Sequence, residues 1–128
     1  MQVEEVDLIA IRYYYESKYD LGGITRDPII ATIKEEDLIK EFLTSFKKQS
    51  FIYSREADRR SYSTGENIKI EIVFKNKTSM IFDIRRYEKT NKILVWVYSD
   101  YLHNISSIYK LPYTTGTVFF DWIVKQVV

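Results

Sequence analysis

The sequence predicts an α+β fold: an antiparallel β-sheet of about five or six strands, one well-defined helix over about 33–48, and a C-terminal helix, with the helices packed mainly on one face. Three observations carry this. "NIKIEIVFKNKTSMIFDIRRY" alternates apolar and polar residues with the period of two of a half-buried strand. "TIKEEDLIKEFLTSFKK" repeats its apolar residues at helical spacing. The order of elements along the chain reads β-β-α-β-β-β-β-α, which fits strands and helices segregated into two layers rather than a parallel βαβ sheet.

The first strand lies in residues 3–15, with Val6, Leu8, Ala10 and Arg12 on one side and Ile9, Ile11 and Tyr13 on the other. Both sides are apolar in part. "DLGG" ends it, because paired glycines supply the positive φ a turn needs. "DPIIATI" (27–33) is a short strand, and Pro28, lacking an amide donor, places it at an edge. In the helix, Thr32 and Glu35 form the pattern of a capping box, acidic residues fill the first turn, and Lys47 and Lys48 close the last. Its stripe of Leu38, Ile39, Phe42, Leu43 and Phe46 faces a sheet.

Residues 54–67 carry no periodicity and read as a long, charged loop. The hairpin that follows is constrained by arithmetic. A two-residue turn at Asn76-Lys77 pairs Ile72 with Ile81 and splits the apolar set between faces. A three-residue loop, 76–78, pairs Phe74 with Met80, Ile72 with Phe82 and Ile70 with Ile84, and so gathers it on one face. The opposite face then carries Lys69, Glu71, Asp83 and Arg85 and reads as a solvated lattice of opposite charges. "KILVWVY" (92–98) is apolar on both sides, as in a central strand. A short strand over 106–111 closes at Pro112. Residues 114–128 read as a helix with Phe119, Trp122, Ile123 and Val127 on one side, and their β-branched content leaves a strand as the alternative.

At 128 residues the chain matches one ordinary domain, 1–128, large enough for a core without staples. It has 19 basic and 18 acidic side chains, a formal charge of +1. That balance offers no global cationic face for phosphates, so nucleic-acid binding is not favoured. The most basic stretch, "FKKQSFIYSREADRR", holds five cations against two anions. There are no cysteines, which excludes disulfides, thiolate catalysis and Cys-type zinc sites. No run is long and apolar enough for a transmembrane segment. The acidic, alternating N-terminus is wrong for a signal peptide. The expected location is therefore either the cytoplasm, or outside the membrane after removal of an export signal.

The succession of "VDLIAI", "IIATIKEEDLIKEFLTSFKK", "NIKIEIVFKNKTSMIFDI" and a late "IYKL" with a C-terminal helix resembles small uncharacterised domains of Gram-positive secreted proteins and lipoproteins. In them a capped helix precedes a hairpin whose turn often reads Lys-Asp-Gly. Here the turn is "KNKT", without glycine. The resemblance spans about residues 6–125 and rests on element types. It implies an extracytoplasmic accessory domain and carries over no catalytic residue.

A catalytic set is missing from the residues themselves. His103 is the only histidine, with Asp100 near it, and a lone histidine in a turn is ordinarily a surface residue. Glu35, Glu36 and Asp37 are accounted for by the helix dipole. "YDLGG" and "TTGT" are too short to cradle phosphate. The expectation is a non-enzymatic domain, with no cofactor or metal, that binds a protein partner. Interfaces draw their energy from Tyr, Trp and Arg, which singles out Tyr13, Tyr15 and Tyr19 in the opening stretch. Tyr53, Arg55, Arg59 and Arg60 mark the long loop, and Trp96, Tyr98 and Tyr101 the late strands. In "RYYYES", Tyr13 and Tyr15 share one face of a strand and Tyr14 takes the other. The rival classes are a small cytoplasmic inhibitor or immunity protein, including a phage-encoded one, and a small-ligand or carbohydrate binder that stacks its ligand on Trp96.

Overall fold

The computed structural model describes residues 2–16, 30–53, 66–87, 90–98 and 105–127. After a 3-10 turn at Val3–Glu5 come β1 (Val6–Glu16), β2 (Ala31–Ile33), α1 (Glu36–Lys47), β3 (Ile52–Tyr53), β4 (Glu66–Phe74), β5 (Ser79–Tyr87), β6 (Lys92–Tyr98), β7 (Ile105–Leu111) and α2 (Tyr113–Lys125). The strands make one sheet in the order β2-β1-β4-β5-β6-β7-β3, and every neighbouring pair is antiparallel. The α+β class is as expected. The extra strand is β3, two residues long, where the sequence shows no alternation to betray it.

Both helices lie on one face. From α1, Ile39, Phe42 and Leu43 are buried there; from α2, Phe119, Phe120 and Ile123. Beneath them are Ile9 and Ile11 of β1, Ile68, Ile70 and Ile72 of β4, Phe82 and Ile84 of β5, and Ile93 and Val95 of β6. Phe42 anchors this layer: it is fully buried and its ring packs on Phe46 and Phe119. Burying such a side chain contributes about 2–3 kcal/mol. β2 and β3 are the two outermost strands, so the chain between them crosses the whole sheet. α1 alone spans about 18 Å of that path, against about 29 Å for six strand spacings. The residues flanking the helix cover the remainder.

α1 starts later than its capping pattern implies. Its N-cap is Glu35, with no side-chain cap, and Thr32 lies within β2 opposite Ala10. Thr32 and Ile33 are β-branched and prefer the ladder, so the capping box does not form. β2 is an edge strand, as expected, and Pro28 lies outside the described residues. The C-terminal segment is a helix. It begins directly after Pro112, whose carbonyl accepts from the Gly116 N–H at 2.8 Å.

The β4–β5 hairpin has a three-residue loop, but one residue earlier than the pattern implied. Ile72 pairs with Met80, Ile70 with Phe82 and Ile68 with Ile84, and the Phe74 N–H donates to Thr78 O at 2.9 Å. The shift of two in the pairing sum keeps parity, so the apolar residues still share a face. The turn settles the rest. The last loop residue is left-handed, and Lys77 takes that role at φ 74°. A loop at 76–78 puts β-branched Thr78 there, which is worse. Asn76 Oδ1 instead accepts from the Thr78 N–H (3.0 Å) and hydroxyl (2.6 Å), an Asx turn.

β1 departs from strict alternation twice, with register shifts between Val6 and Leu8 and between Ile11 and Tyr13. The first shift puts Val6 in the same core as Ile9 and Ile11, not with Leu8 and Ala10. The second puts Tyr14 on the helix face.

The other face of the sheet is buried too. Ile81, Tyr87, Leu94, Trp96 and Tyr98 form a second cluster, and Glu71 and Asp83 are 1% and 2% exposed. The expected solvated lattice of Lys69, Glu71, Asp83 and Arg85 is therefore corrected. Its carboxylates are tied to cations: Glu71 to Arg12 at 2.7 Å and Asp83 to Arg85 at 3.2 Å. Arg85 is also stacked on the Trp96 ring, 4.5 Å from its centroid. Burial by itself lowers the Arg85 pKa, and the charge and hydrogen bond of Asp83, with a smaller part from Tyr87, raise it overall.

Candidate functional site

With the centres of both faces buried, Ile52 and Tyr53 at one rim are the most exposed large apolar side chains on the described strands. β3 is the outermost strand on one side. Its pairing with β7 sets Ile52 opposite Lys110 and Tyr53 opposite Tyr109. Tyr53 is 65% exposed and Ile52 59%. Large apolar side chains at such exposure on an edge strand are unusual, since edges are ordinarily blunted with charge or proline.

The edge is backed by a rigid chain of rings. Phe46 of α1 packs against Phe82 and Phe119 in the core, at 5.2 and 6.1 Å between centroids. Phe51 meets Phe46 at 5.1 Å and Tyr109 at 5.9 Å, and Tyr109 meets Tyr53 edge-on at 6.4 Å. An aromatic ladder thus runs from the core out to the surface ring. Edge-to-face pairs add about 0.5–1.5 kcal/mol each beyond burial. They hold Tyr53 in place, so little side-chain entropy remains to be lost on contact. The positions come from the short connection after α1: Lys48 ends the helix, and four residues later the chain is in the sheet.

The other polar constellation sits on the helix face at the far end of β4 and β5. Arg86 donates to Glu66 from Nε (3.1 Å) and Nη2, and to Asp121 of α2 from Nη1 at 2.6 Å. Tyr14 Oη donates to the second Glu66 oxygen at 2.9 Å, and the guanidinium lies over the Phe120 ring at 4.4 Å. Burial lowers the Arg86 pKa, but the hydrogen bonds and charges of Glu66 and Asp121 outweigh it and hold the pKa above the ordinary arginine value. A permanent cation saturated by two carboxylates is a clamp between α2 and the sheet. Its cation has no proton to give at neutral pH. Among the described residues no group of three His, Cys, Asp or Glu side chains is placed to hold a metal ion.

Of the residues singled out from sequence, Tyr53 is placed at the exposed edge. Tyr13 and Tyr15 have backbone positions in β1 opposite Lys69 and Asn67. Trp96 is 3% exposed and Tyr98 9%, both in the second cluster, and one face of the Trp96 ring is taken by Arg85. That arrangement lends nothing to a stacking platform for sugars. Tyr19, Arg55, Arg59, Arg60 and Tyr101 lie outside the described residues, as do His103 and Asp100. Sequence reasoning missed Ile52, Tyr109 and the Glu66–Arg86–Asp121 clamp. The first two sit in short, non-alternating runs, and the clamp joins residues 20 and 35 positions apart.

No helix among the described residues is long and apolar enough to cross a membrane. No family model, curated protein or solved structure matches the chain.

Proposed function

We propose that the chain is a non-enzymatic binding domain that acts through contact with another protein, and that the contact is made at the β3 edge. The observation that carries this is the exposure of Ile52 and Tyr53 on a terminal strand, with Tyr53 at the outer end of a ladder of packed rings. An aromatic and an aliphatic anchor beside an edge with no described strand on its outer side suit an extended partner segment that adds to the sheet. The ion pairs described above tie elements of this chain to one another, so they are structural in this reading.

The test is a double variant, Ile52→Ser with Tyr53→Ala, compared with the wild type for association in cells that naturally make the protein. Exposed substitutions of this kind cost within about 0.5 kcal/mol, and far-UV circular dichroism checks the fold. A protein retained by the wild type and reduced at least tenfold with the variant supports the reading. Associations unchanged by the double substitution refute it.

A further inference from the structure

Among the described residues four large apolar side chains stand exposed: Ile30, Ile52, Tyr53 and Val118. Three of them belong to the two ends of the sheet. Ile52 and Tyr53 form β3; Ile30 immediately precedes β2, its N–H donating to Ile11 O at 2.9 Å. No described strand pairs with the outer side of either terminal strand. Among the described residues, then, both ends of the sheet have an edge with no strand on its outer side, each with exposed apolar surface.

The two ends are opposite in charge. Around β3, residues 44–53 and 105–113 contain Lys47, Lys48 and Lys110 and no carboxylate. Around β2, residues 2–7 and 30–37 contain Glu4, Glu5, Asp7, Glu35, Glu36 and Asp37 against Lys34 alone. These acidic segments are neighbours in space, since Glu4, Asp7, Lys34 and Glu36 line one recess of about 250 Å³, with Lys75 of the β4–β5 turn as a second cation there. The dipole of α1 accounts for acids in its first turn and lysines at its end. Glu4 before β1 and Asp7 within it bring further acids to that first turn from another element, and Lys110 on β7 lies outside the helix altogether.

We propose that the chain associates head to tail with a second copy of itself, the basic β3 edge of one molecule lying against the acidic β2 edge of the next. This rests on reading the β3 edge as a contact surface and names its occupant. Both complementary halves are on this chain, so the pairing needs no further component. A contact between unlike surfaces leaves one free edge at each end, so association proceeds beyond the dimer unless the rotation closes a ring. A two-residue strand offers few ladder bonds, so charge and the exposed apolar residues set the register, and the contact is weak and salt-dependent.

Sedimentation velocity on the full chain, from about 10 μM to about 1 mM, tests this without any variant. The expected result is a concentration-dependent series of species whose association constant falls about tenfold or more between roughly 0.05 and 0.5 M salt. Two charge reversals then separate the geometries: Lys47→Glu with Lys48→Glu at one end, and Glu4→Lys with Glu5→Lys at the other. Each alone should abolish association, and an equimolar mixture should restore it. A wild type that stays monomeric throughout overturns the proposal. An acidic-end reversal that associates like the wild type overturns it too, in favour of β3 packing on β3. If the wild type is monomeric while the Ile52/Tyr53 double variant loses a cellular partner, the self-association fails and the binding function stands. If neither effect is seen, both fail.

Discussion

Gly116 is where α2 comes closest to the sheet, and replacing it tests how that helix is seated. A methyl group built there lies 2.9 Å from Ile93 Cδ1 and 3.2 Å from Leu111 Cβ. Ile93 is fully buried and Leu111 nearly so. Leu111 Cβ is fixed to the backbone of β7, so relief must come from the Ile93 methyl or from a shift of the helix. Ala is the better helix former by about 1 kcal/mol in a helix interior, and by less here, in the first turn of α2. Overpacking of a filled core costs about 1–3 kcal/mol. The clash wins, and Gly116→Ala should lose about 1 kcal/mol, a fall in Tm of about 3–6 °C for a chain of this size. Urea unfolding followed by tryptophan fluorescence measures it, with an unchanged slope showing that the fold is kept. Ile93→Val supplies the control, since it removes the interfering methyl. Alone it should cost about 1 kcal/mol; in the Gly116→Ala background it should cost little or nothing, a coupling of about 1 kcal/mol. A Gly116→Ala protein as stable as the wild type, or strict additivity of the two changes, refutes this account of α2 docking.

Three more outcomes are expected. Lys77→Gly relieves a left-handed residue at φ 74° and should stabilise the hairpin by about 0.5–1 kcal/mol in urea unfolding, whereas Asn76→Ala removes the Asx turn and should destabilise it. Glu71→Ala removes the carboxylate that Arg12 holds at 2.7 Å and should cost about 1–3 kcal/mol, while Arg12→Met with Glu71→Met should recover most of the loss. Arg86 has a folded pKa raised above its unfolded value, so its contribution is fully present below the unfolded value and is lost only as pH rises through the folded one, beyond the ordinary arginine range. Arg86→Lys keeps the charge at neutral pH but not in strong alkali, so unfolding from pH 7 to about 11 should show the gap to wild type widening through the lysine range; a constant gap contradicts the clamp.

The layers of this fold were legible because apolar spacing reports which residues share a face. It placed α1 through Ile39, Phe42 and Leu43, and it fixed the parity of the β4–β5 hairpin. Parity is all it could fix there. The true pairing depends on Lys77 and Asn76, where turn chemistry rather than burial decides. The bulges in β1 were invisible, because one inserted residue reverses the face of Val6 without altering the local pattern. The charged residues of the second face misled for a related reason: Lys69, Glu71, Asp83 and Arg85 alternate as a solvated strand face does. Glu71 is buried because Arg12, 59 residues away, neutralises it. No local reading finds such a partner. Of the candidate site, Tyr53 was readable from residue type alone. Its neighbour Ile52 and the backing ring of Tyr109 needed the topology that joins β3 to β7.

That topology also explains why the exposed anchors sit where they do. α1 must carry the chain from one outermost strand to the other, so its two ends lie over opposite rims of the sheet. The acids that suit its N-terminus are delivered to the β2 side, and the lysines that suit its C-terminus to the β3 side. A dipole-matched crossing helix therefore gives a single sheet two unlike edges. Glu4, Glu5, Asp7 and Lys110 add to the difference from elements outside the helix. Opposite charge also discourages two β3 edges, or two β2 edges, from meeting, since like charges then face each other. The exposed Ile52 and Tyr53 are thus left available to a partner whose charge is complementary, and the acidic rim of the same chain has that charge.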